Sequence, residues 1–205
     1  MKSLYVSDLH MEFGEFPTKE IGNLEDQIDF DAVLIAGDIC TTSSYEYVPE
    51  LREIFPTVPI ISTLGNHDYW GGDLQDIPDM IKTMREQADI QVLHNTSTIM
   101  GDVVIHGATL WTDYMLDNRP ELMPSYEHMM NDFRRTTNGY SRMSYRDIVS
   151  EHFKSRDFIS NALQQNHPKS IIITLADDKA SPNFVSVPSA GFTVSALPFR
   201  ASIVL

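Results

Sequence analysis

The sequence predicts an α/β fold, and the placement of its apolar residues is the evidence. Three short apolar runs occur early in the chain, at residues 4–6, 32–36 and 59–64, and each is followed at once by small or polar residues. Continuously apolar runs are typical of strands in a sheet that is covered on both faces. The segments between the runs have helix-like patterns. With 205 residues and 42% hydrophobic content, the chain is long enough for one sizeable core, so we predict a single domain over residues 1–205.

Two helices are predicted in the first half of the chain. The first has apolar residues at helical spacing, namely Tyr47, Leu51, Ile54 and Phe55. The second has one apolar stripe, formed by Ile77, Ile81, Met84 and Ala88. Asp76 and Asp79 have the spacing of a capping box, so we expect them to begin the second helix.

The middle of the chain predicts strands and then a less regular segment. Strand-like pieces at 99–100 and 103–105 are separated by Gly101-Asp102 and followed by Gly107, which predicts a hairpin and then a further strand. Residues 118–142 have no clean period and contain prolines and a glycine. For that segment we expect irregular structure with a short helix.

A long helix and a last strand are predicted after residue 142. The helix begins at Ser144, where Ser144 and Asp147 have capping-box spacing, and it ends near Gln165. Its inward residues are predicted to be Ile148, Val149, Phe153, Ile159 and Leu163. Residues 171–175 form the last clear strand pattern, and the rest of the chain is predicted to be mostly irregular.

The composition disfavours two classes of partner. The formal net charge of −14 and the isoelectric point near 4.7 disfavour nucleic acid, except as a substrate, and anionic membranes, because such binding relies on a surplus of Lys and Arg. Cys40 is the only cysteine, so no intramolecular disulfide is expected. The first apolar run is too short for a signal peptide, and no stretch approaches the roughly 18 apolar residues that span a bilayer. We therefore expect a cytoplasmic protein.

Polar residues directly follow each of the first three predicted strands. They are Asp8-Leu9-His10, Gly37-Asp38 and Gly65-Asn66-His67-Asp68. Because the carboxyl ends of neighbouring strands in an open α/β sheet meet along one edge, these groups can converge although they are far apart in sequence. Asp8 and His10 would project to the same side of an extended segment. Glycine permits the turn that can direct Asp38 toward the same point.

Each motif alone has a simpler interpretation. An Asp-x-His triplet is common by chance, and Gly-Asp after a strand is often only a turn. The third motif is more informative, because it places a neutral oxygen ligand, an imidazole and a carboxylate together. All three motifs in this order, each after a buried-strand pattern, predict a metal site.

Together the three motifs resemble the first three blocks of the calcineurin-like metallophosphoesterase superfamily. The similarity continues through residues 107–113 and 130–135, which resemble a bacterial and phage branch of that superfamily. The resemblance covers most of residues 1–175. It implies an α/β/β/α sandwich and an enzyme that hydrolyses a phosphoester substrate.

The resemblance also implies a set of metal ligands. Asp8 and His10 would bind a first ion, Asp38 would bridge two ions, and Asn66 would bind the second. Two divalent ions about 3.5–4 Å apart can share a hydroxide that attacks phosphorus in line. Carboxylate, imidazole and amide ligands suit manganese, iron, zinc or nickel, and the sequence does not choose among them.

The remaining two motif residues are implied to be catalytic. His67 would be the general acid or would stabilise the transition state. Asp68 would orient the His67 ring.

The similarity to the family fails toward the carboxyl end. Family members have a Thr-His-His-x-Pro-Ser-Pro block, whereas this chain reads Ala-Asp-Asp-Lys-Ala-Ser-Pro over residues 176–182. If Ser181-Pro182 fixes the alignment, Asp177 or Asp178 replaces a histidine ligand. If Thr174 fixes it, Leu175 replaces the histidine and no ligand remains.

A final Gly-His-x-His block of the family has no counterpart in the sequence either. The histidines outside the motifs are expected to be surface or core residues: His94, His106, His128, His152 and His167. We therefore expect a sandwich that is C-terminally incomplete. The alternative function is that of a degenerate, catalytically inactive family member that acts as a binding module.

Overall fold

The computed structural model describes residues 1–13, 18–115, 120–165, 167–174 and 202–204. The strands are β1 (Ser3–Val6), β2 (Ala32–Ala36), β3 (Ile60–Thr63), β4 (Ile90–Val92), β5 (Thr96–Met100), β6 (Val103–Ala108), β7 (Thr137–Asn138), β8 (Ser141–Arg142), β9 (Ser170–Thr174) and β10 (Ser202–Val204). The α-helices are α1 (Thr18–Ile21), α2 (Leu51–Ile54), α3 (Ile77–Ala88), α4 (Met123–Met129), α5 (Asp132–Arg135) and α6 (Tyr145–Leu163).

The larger sheet has the strand order β10-β1-β2-β3-β4. Strands β1 to β4 run parallel to one another, and β10 pairs with β1 in the antiparallel direction. Every residue of β2 and β3 is buried. The three strands predicted from the continuous apolar runs are therefore confirmed.

A smaller sheet has the strand order β5-β6-β9. Strands β5 and β6 form an antiparallel hairpin, and β9 pairs with β6 in the parallel direction. The predicted hairpin and the last predicted strand are thus confirmed. The further strand expected after Gly107 is wrong, because Gly107 lies inside β6. A Cβ at Gly107 would lie 2.9 Å from the Leu93 carbonyl oxygen, so glycine lets Leu93 pack against the strand without interrupting it.

The two sheets pack face to face, and the residues of β2 show this directly. Leu34 and Ala36 belong to an apolar cluster with Ile61 of β3, Ile105 of β6 and Ile173 of β9. The intervening residues of β2, Val33 and Ile35, belong to the larger core on the opposite face of the sheet, together with Leu51 of α2 and Met84 of α3. Because side chains alternate along a strand, a strand covered on both faces must be apolar throughout.

Helix α6 covers the outer face of the smaller sheet. The ring centroids of Phe158 in α6 and His106 in β6 are 6.3 Å apart. Since Ile105 belongs to the cluster between the sheets, His106 is directed to the opposite face of β6. The order of layers is helices, sheet, sheet and helix, as the α/β/β/α prediction requires.

The first predicted helix is mostly a 3-10 helix. Residues 42–50 form 3-10 turns, and only the last turn, α2, is α-helical. Pro49 lies inside the 3-10 segment, where its missing N–H removes a hydrogen bond that an α-helix would need.

The start of α3 differs from the prediction. Asp76 occupies the N-cap position, but its side chain makes no capping hydrogen bond. Asp73 instead accepts a hydrogen bond from the Gln75 backbone N–H and caps the 3-10 turn Leu74–Asp76 that leads into the helix. The capping box predicted from Asp76 and Asp79 is therefore wrong, although the helix itself is confirmed.

Helix α6 begins as predicted, but one inward residue was misplaced. The capping box of Ser144 and Asp147 is present. The predicted inward Phe153 is 41% exposed. The buried residues are Ile148, Ser155 and Ala162, which repeat every seven positions and so lie in one line along the helix. Phe153 follows Ile148 by five residues, which directs it away from that line.

Residues 120–142 are more regular than expected. They contain α4, α5 and the short β7–β8 hairpin. Residues 175–201 lie outside the described residues, and so do Asp177, Asp178 and the irregular tail expected there. Within the described part of the chain, no helix combines the length and the apolar character needed to cross a membrane.

Candidate metal centre

The turns after β1 and β2 run side by side at the carboxyl edge of the larger sheet. The backbone N–H of Asp8 donates to the Gly37 carbonyl oxygen at 3.4 Å. The N–H of His10 donates to the Asp38 carbonyl oxygen at 3.1 Å. The first two predicted motifs are therefore adjacent, as expected for turns that follow neighbouring strands at one edge of a sheet.

The backbone at three motif residues is held in an unfavourable conformation. Asp8, His10 and Asp38 have φ angles of 53°, 47° and 54°. The left-handed region is uncommon for residues with a Cβ, and each such residue costs about 1–3 kcal/mol that the surrounding structure must offset. Strain concentrated at one point of a sheet edge is typical of a functional site.

Two glycines let the second and third motifs approach each other. Gly37 has φ +80°, and a Cβ there would lie 2.7 Å from the Gly65 Cα. A Cβ at Gly65 would lie 2.7 Å from the Asp38 Cγ, and closer still to the Asp38 Oδ1 and backbone nitrogen. A larger residue at either position would push the two turns apart.

Asp8, His10 and Asp38 bring their ligand atoms together. One atom from each residue lies within 4.8 Å of the other two. The Nε2 atom of His10 is 3.8 Å from the Asp8 Oδ1. Two carboxylates and an imidazole at this separation are a donor set that a divalent transition-metal ion accepts.

The electrostatics of Asp38 fit a bound cation. Asp38 is only 4% exposed, and burial together with the nearby charge of Asp68 raises the pKa of Asp38 well above the ordinary carboxyl value. A buried carboxylate in this position lacks a neighbouring positive charge strong enough to stabilise its ionised form. A metal ion between the motifs would supply that charge, so the residues present fit the metal that the sequence implies.

Asn66 is held by a residue that sequence reasoning missed. Its Nδ2 donates to the Oδ1 of Asp132 at 3.0 Å, and Asp132 is 3% exposed. Because the amide nitrogen is engaged, the amide oxygen is the atom that remains for a metal ion. The only signal for Asp132 was the family-like segment 130–135, in which it stands.

The His67 ring lies among the predicted ligands. The backbone N–H of His67 donates to the Asp38 Oδ1 at 2.9 Å. Its ring meets the His10 ring at a centroid distance of 4.3 Å in an edge-to-face arrangement. It also stacks on Trp70 at 3.5 Å, and the guanidinium of Arg135 lies 4.9 Å from the centre of the same indole.

Asp68 does not orient the His67 ring, contrary to the prediction. Its Oδ2 accepts hydrogen bonds from the backbone N–H groups of Asp38 and Gly65, and its Oδ1 accepts from those of Ile39 and Cys40. Burial raises the pKa of Asp68 to about 7, although these four hydrogen bonds oppose the shift. Asp68 therefore clamps the turn after β2 to the turn after β3.

Glu12 contacts the His67 ring instead. Its Oε1 lies 2.7 Å from the His67 Nδ1 and 3.2 Å from the His10 Nδ1. Burial raises the pKa of Glu12, but the hydrogen bonds from the two histidines outweigh it and lower the pKa to about 2. Sequence reasoning missed Glu12, which lies in the 3-10 turn Met11–Phe13 directly after the first motif. The segment of Asp8 and His10 is not extended as expected, because both residues have left-handed φ angles.

The histidines outside the motifs lie elsewhere in the described residues. His106 is buried in β6 and its Nδ1 meets the Ser97 hydroxyl at 2.7 Å. His152 contacts the Trp111 carbonyl oxygen through Nδ1. Among the residues that the structure describes, the groups of three close ligand side chains are Asp8, His10 and Asp38, and His10, Glu12 and His67.

Comparison with known protein families agrees with the fold. Residues 1–173 match the sequence model of the calcineurin-like phosphoesterase family. The match covers more than half of the chain, and the chain therefore belongs to that family. Its members are, in general, metal-dependent hydrolases of phosphoesters. The resemblance carried by the three motifs is confirmed.

Comparison with solved structures gives a more distant likeness. A Staphylococcus aureus protein assigned as a 5'-nucleotidase, solved in complex with alpha-ketoglutarate, superposes with a TM-score of 0.45 and 12% sequence identity. The superposition covers 90% of this chain and 40% of that one, so this chain spans two fifths of its length. A likeness at that level carries no argument about function. No curated protein sequence matches the chain.

Proposed function

We propose that the protein hydrolyses phosphoric esters with two divalent metal ions held at the carboxyl edge of the larger sheet. The observation that carries the proposal is the convergence of Asp8, His10 and Asp38, whose ligand atoms lie within 4.8 Å of one another. Membership of the calcineurin-like phosphoesterase family supports the same conclusion.

Each of the proposed metal ligands is assigned to one ion or to both. Asp8 and His10 would hold the first ion, Asp38 would contribute to both, and Asn66 would hold the second. Hydrogen bonds join the turns that carry these residues: Asp8 and His10 donate their backbone N–H groups to the turn after β2, and the His67 N–H donates to the Asp38 Oδ1. When bound, divalent ions supply positive charge to the phosphoryl oxygens and make water a stronger acid.

His67 is proposed to act on the leaving group. Its ring lies against His10 at a centroid distance of 4.3 Å, which places an imidazole beside the proposed first ion. From there it can donate a proton to the leaving oxygen or stabilise charge in the transition state. Asp68 supports His67 indirectly, because it fixes the turn that carries the histidine.

The substrate is proposed to be a phosphoester that the metal ions attract, and the proposed metals are manganese, iron, zinc or nickel. A net charge of −14 repels anions from most of the surface, so local positive charge at the site has to attract the substrate. We also propose a cytoplasmic location, which fits a chain whose single cysteine allows no intramolecular disulfide.

The direct test is hydrolysis of an aryl phosphate monoester and of a bis-aryl phosphate diester with added manganese. We expect turnover by the wild type, and its loss in Asp38→Asn, since the amide cannot bridge two cations as a carboxylate does. Asp102→Asn is the matched control, because Asp102 is exposed and pairs with Lys169 on the surface. If folded wild-type protein hydrolyses neither ester faster than the uncatalysed rate in buffer, the proposal is wrong.

A second candidate function is that of a binding module that holds one metal ion and does not hydrolyse phosphoric esters. The observation in its favour is that the second ion has few proposed ligands. Among the described residues, Asn66 is the one residue that is proposed to bind the second ion and not the first. Calorimetry separates the two candidates. Two manganese ions per chain support the enzyme, whereas one ion per chain without turnover supports the binding module.

A further inference from the structure

Glu12 contacts both histidines of the site. A single oxygen, Oε1, lies 2.7 Å from the His67 Nδ1 and 3.2 Å from the His10 Nδ1. The Glu12 side chain is 8% exposed. Its other oxygen, Oε2, is buried and has no hydrogen-bond partner among the described residues. Both histidines therefore meet one carboxylate that is largely removed from water.

The chemistry of a carboxylate sets the direction of both hydrogen bonds. An ionised carboxylate accepts hydrogen bonds and cannot donate them. The two Nδ1 atoms must therefore be the donors. A neutral imidazole carries one N–H, so a ring that donates from Nδ1 has an unprotonated Nε2.

We propose that Glu12 is a positioning residue that holds His10 and His67 in the same tautomer, with the proton on Nδ1 and the lone pair on Nε2. For His10 this leaves Nε2, the atom 3.8 Å from the Asp8 Oδ1, to bind a metal ion. For His67 it makes Nε2 the atom that gains and loses the proton exchanged with the substrate. One side chain thus leaves an unprotonated Nε2 on both rings. The His10 Nε2 is free to bind a metal ion, and the His67 Nε2 becomes a proton donor once it has taken up a proton from solvent to form the imidazolium.

The alternative partner for His67 is occupied. Both oxygens of Asp68 accept backbone hydrogen bonds, so Asp68 has no oxygen that is free of such a bond. Hydrogen bonds to the second nitrogen of a metal-binding histidine fix its tautomer and orientation, and losing them typically costs 10–100-fold in metal affinity or activity.

The test reads the tautomers directly in the metal-free protein. Long-range proton–nitrogen correlation spectra of protein with ¹⁵N-labelled histidine distinguish Nδ1–H from Nε2–H rings at a pH where both rings are neutral. His10→Asn and His67→Asn variants assign the two signals. We expect both rings to be Nδ1–H. An Nε2–H ring at either position in the wild type would overturn the proposal.

Variants of Glu12 test whether this residue sets the tautomer. Glu12→Leu keeps the approximate volume and removes both acceptors, so we expect the Nδ1–H population of both rings to fall. Glu12→Gln keeps one acceptor oxygen, and we expect it to restore at least part of that population. The matched control is Glu86→Leu, at a side chain that is 66% exposed on α3 and pairs with Lys82. Unchanged ring signals in folded Glu12→Leu would contradict the proposal.

A manganese titration separates positioning from direct ligation. We expect Glu12→Gln to bind the same number of ions as the wild type, with affinity weakened by no more than about 10–100-fold. Loss of one ion per chain would make Glu12 itself a ligand and would overturn the positioning role. The reading of His67 as proton donor rests on the proposed function, but the tautomer measurement does not. If both rings are Nδ1–H and the wild type has no turnover, the proposed function fails alone.

Discussion

Replacing Gly65 with alanine probes the geometry of the centre most sharply. The new Cβ would lie 2.7 Å from the Asp38 Cγ, whereas two carbon atoms in contact are about 3.5–4.0 Å apart. Asp38 or the turn after β3 must therefore move by about 0.8 Å or more. Metal–ligand distances are held within about 0.2 Å, so a shift of this size would remove Asp38 from the bridging position that we propose for it.

We expect Gly65→Ala to weaken manganese binding by at least about tenfold and to lower the free energy of unfolding by about 1–3 kcal/mol, the usual effect of overpacking. Calorimetry gives the first quantity and urea unfolding of the metal-free protein gives the second. The control is Gly101→Ala, in the β5–β6 turn, where φ is +61° and no atom lies within 4 Å of the new Cβ. That variant should lose about 1 kcal/mol through backbone strain and keep its metal affinity. Wild-type manganese affinity in Gly65→Ala would refute the reasoning.

Three further predictions test the surroundings of the site and the fold. Asp132→Ala should weaken manganese binding at the proposed second site by about 10–100-fold, because the Asn66 amide loses its hydrogen-bond acceptor. A two-site titration measures this, and equal weakening of both sites would contradict it. Ile148→Ala should lower the free energy of unfolding by about 2–5 kcal/mol in urea, whereas the exposed Phe153→Ala should lower it by less; the reverse order would contradict the observed face of α6. Asp147→Ala should cost about 1 kcal/mol near neutral pH through loss of the capping box, as measured by unfolding at several pH values. Burial raises the pKa of Asp147, but hydrogen bonds from Ser144 and Asn138 outweigh it and lower the pKa below its ordinary value. The stabilisation is therefore present above the unfolded carboxyl pKa and is lost as the pH falls through the folded one, so the difference between variant and wild type should shrink in acid. A difference that grows in acid would contradict this.

The sequence predicts an element well where a short local pattern of residues corresponds to a single structural environment. Strand β2 is apolar at every position because its residues face two different cores in alternation, as Val33 and Leu34 do. The α6 capping box was predictable because Ser144 and Asp147 are only three residues apart. Phe153 was misplaced because an apolar residue on a helix is not obliged to be buried.

The prediction that the motifs meet at one sheet edge needed only the order of strand, glycine and polar residue. The contacts that link distant segments could not be read in this way. Asp132 and Asn66 form a hydrogen bond although they are 66 residues apart in sequence, and no local sequence pattern predicts that contact. The role of Asp68 in orienting the His67 ring was implied by the family resemblance, whereas the structure directs its carboxylate to backbone N–H groups of the turns after β2 and β3.

The central claim is that Asp8, His10, Asp38 and Asn66 surround shared cation positions. An anomalous difference map from crystals grown with manganese tests it most directly. We predict two peaks about 3.5–4 Å apart, with Asp38 in contact with both, Asp8 and His10 with one, and Asn66 with the other. A map with no peak beside Asp38, or with manganese bound only at other side chains, would contradict the account.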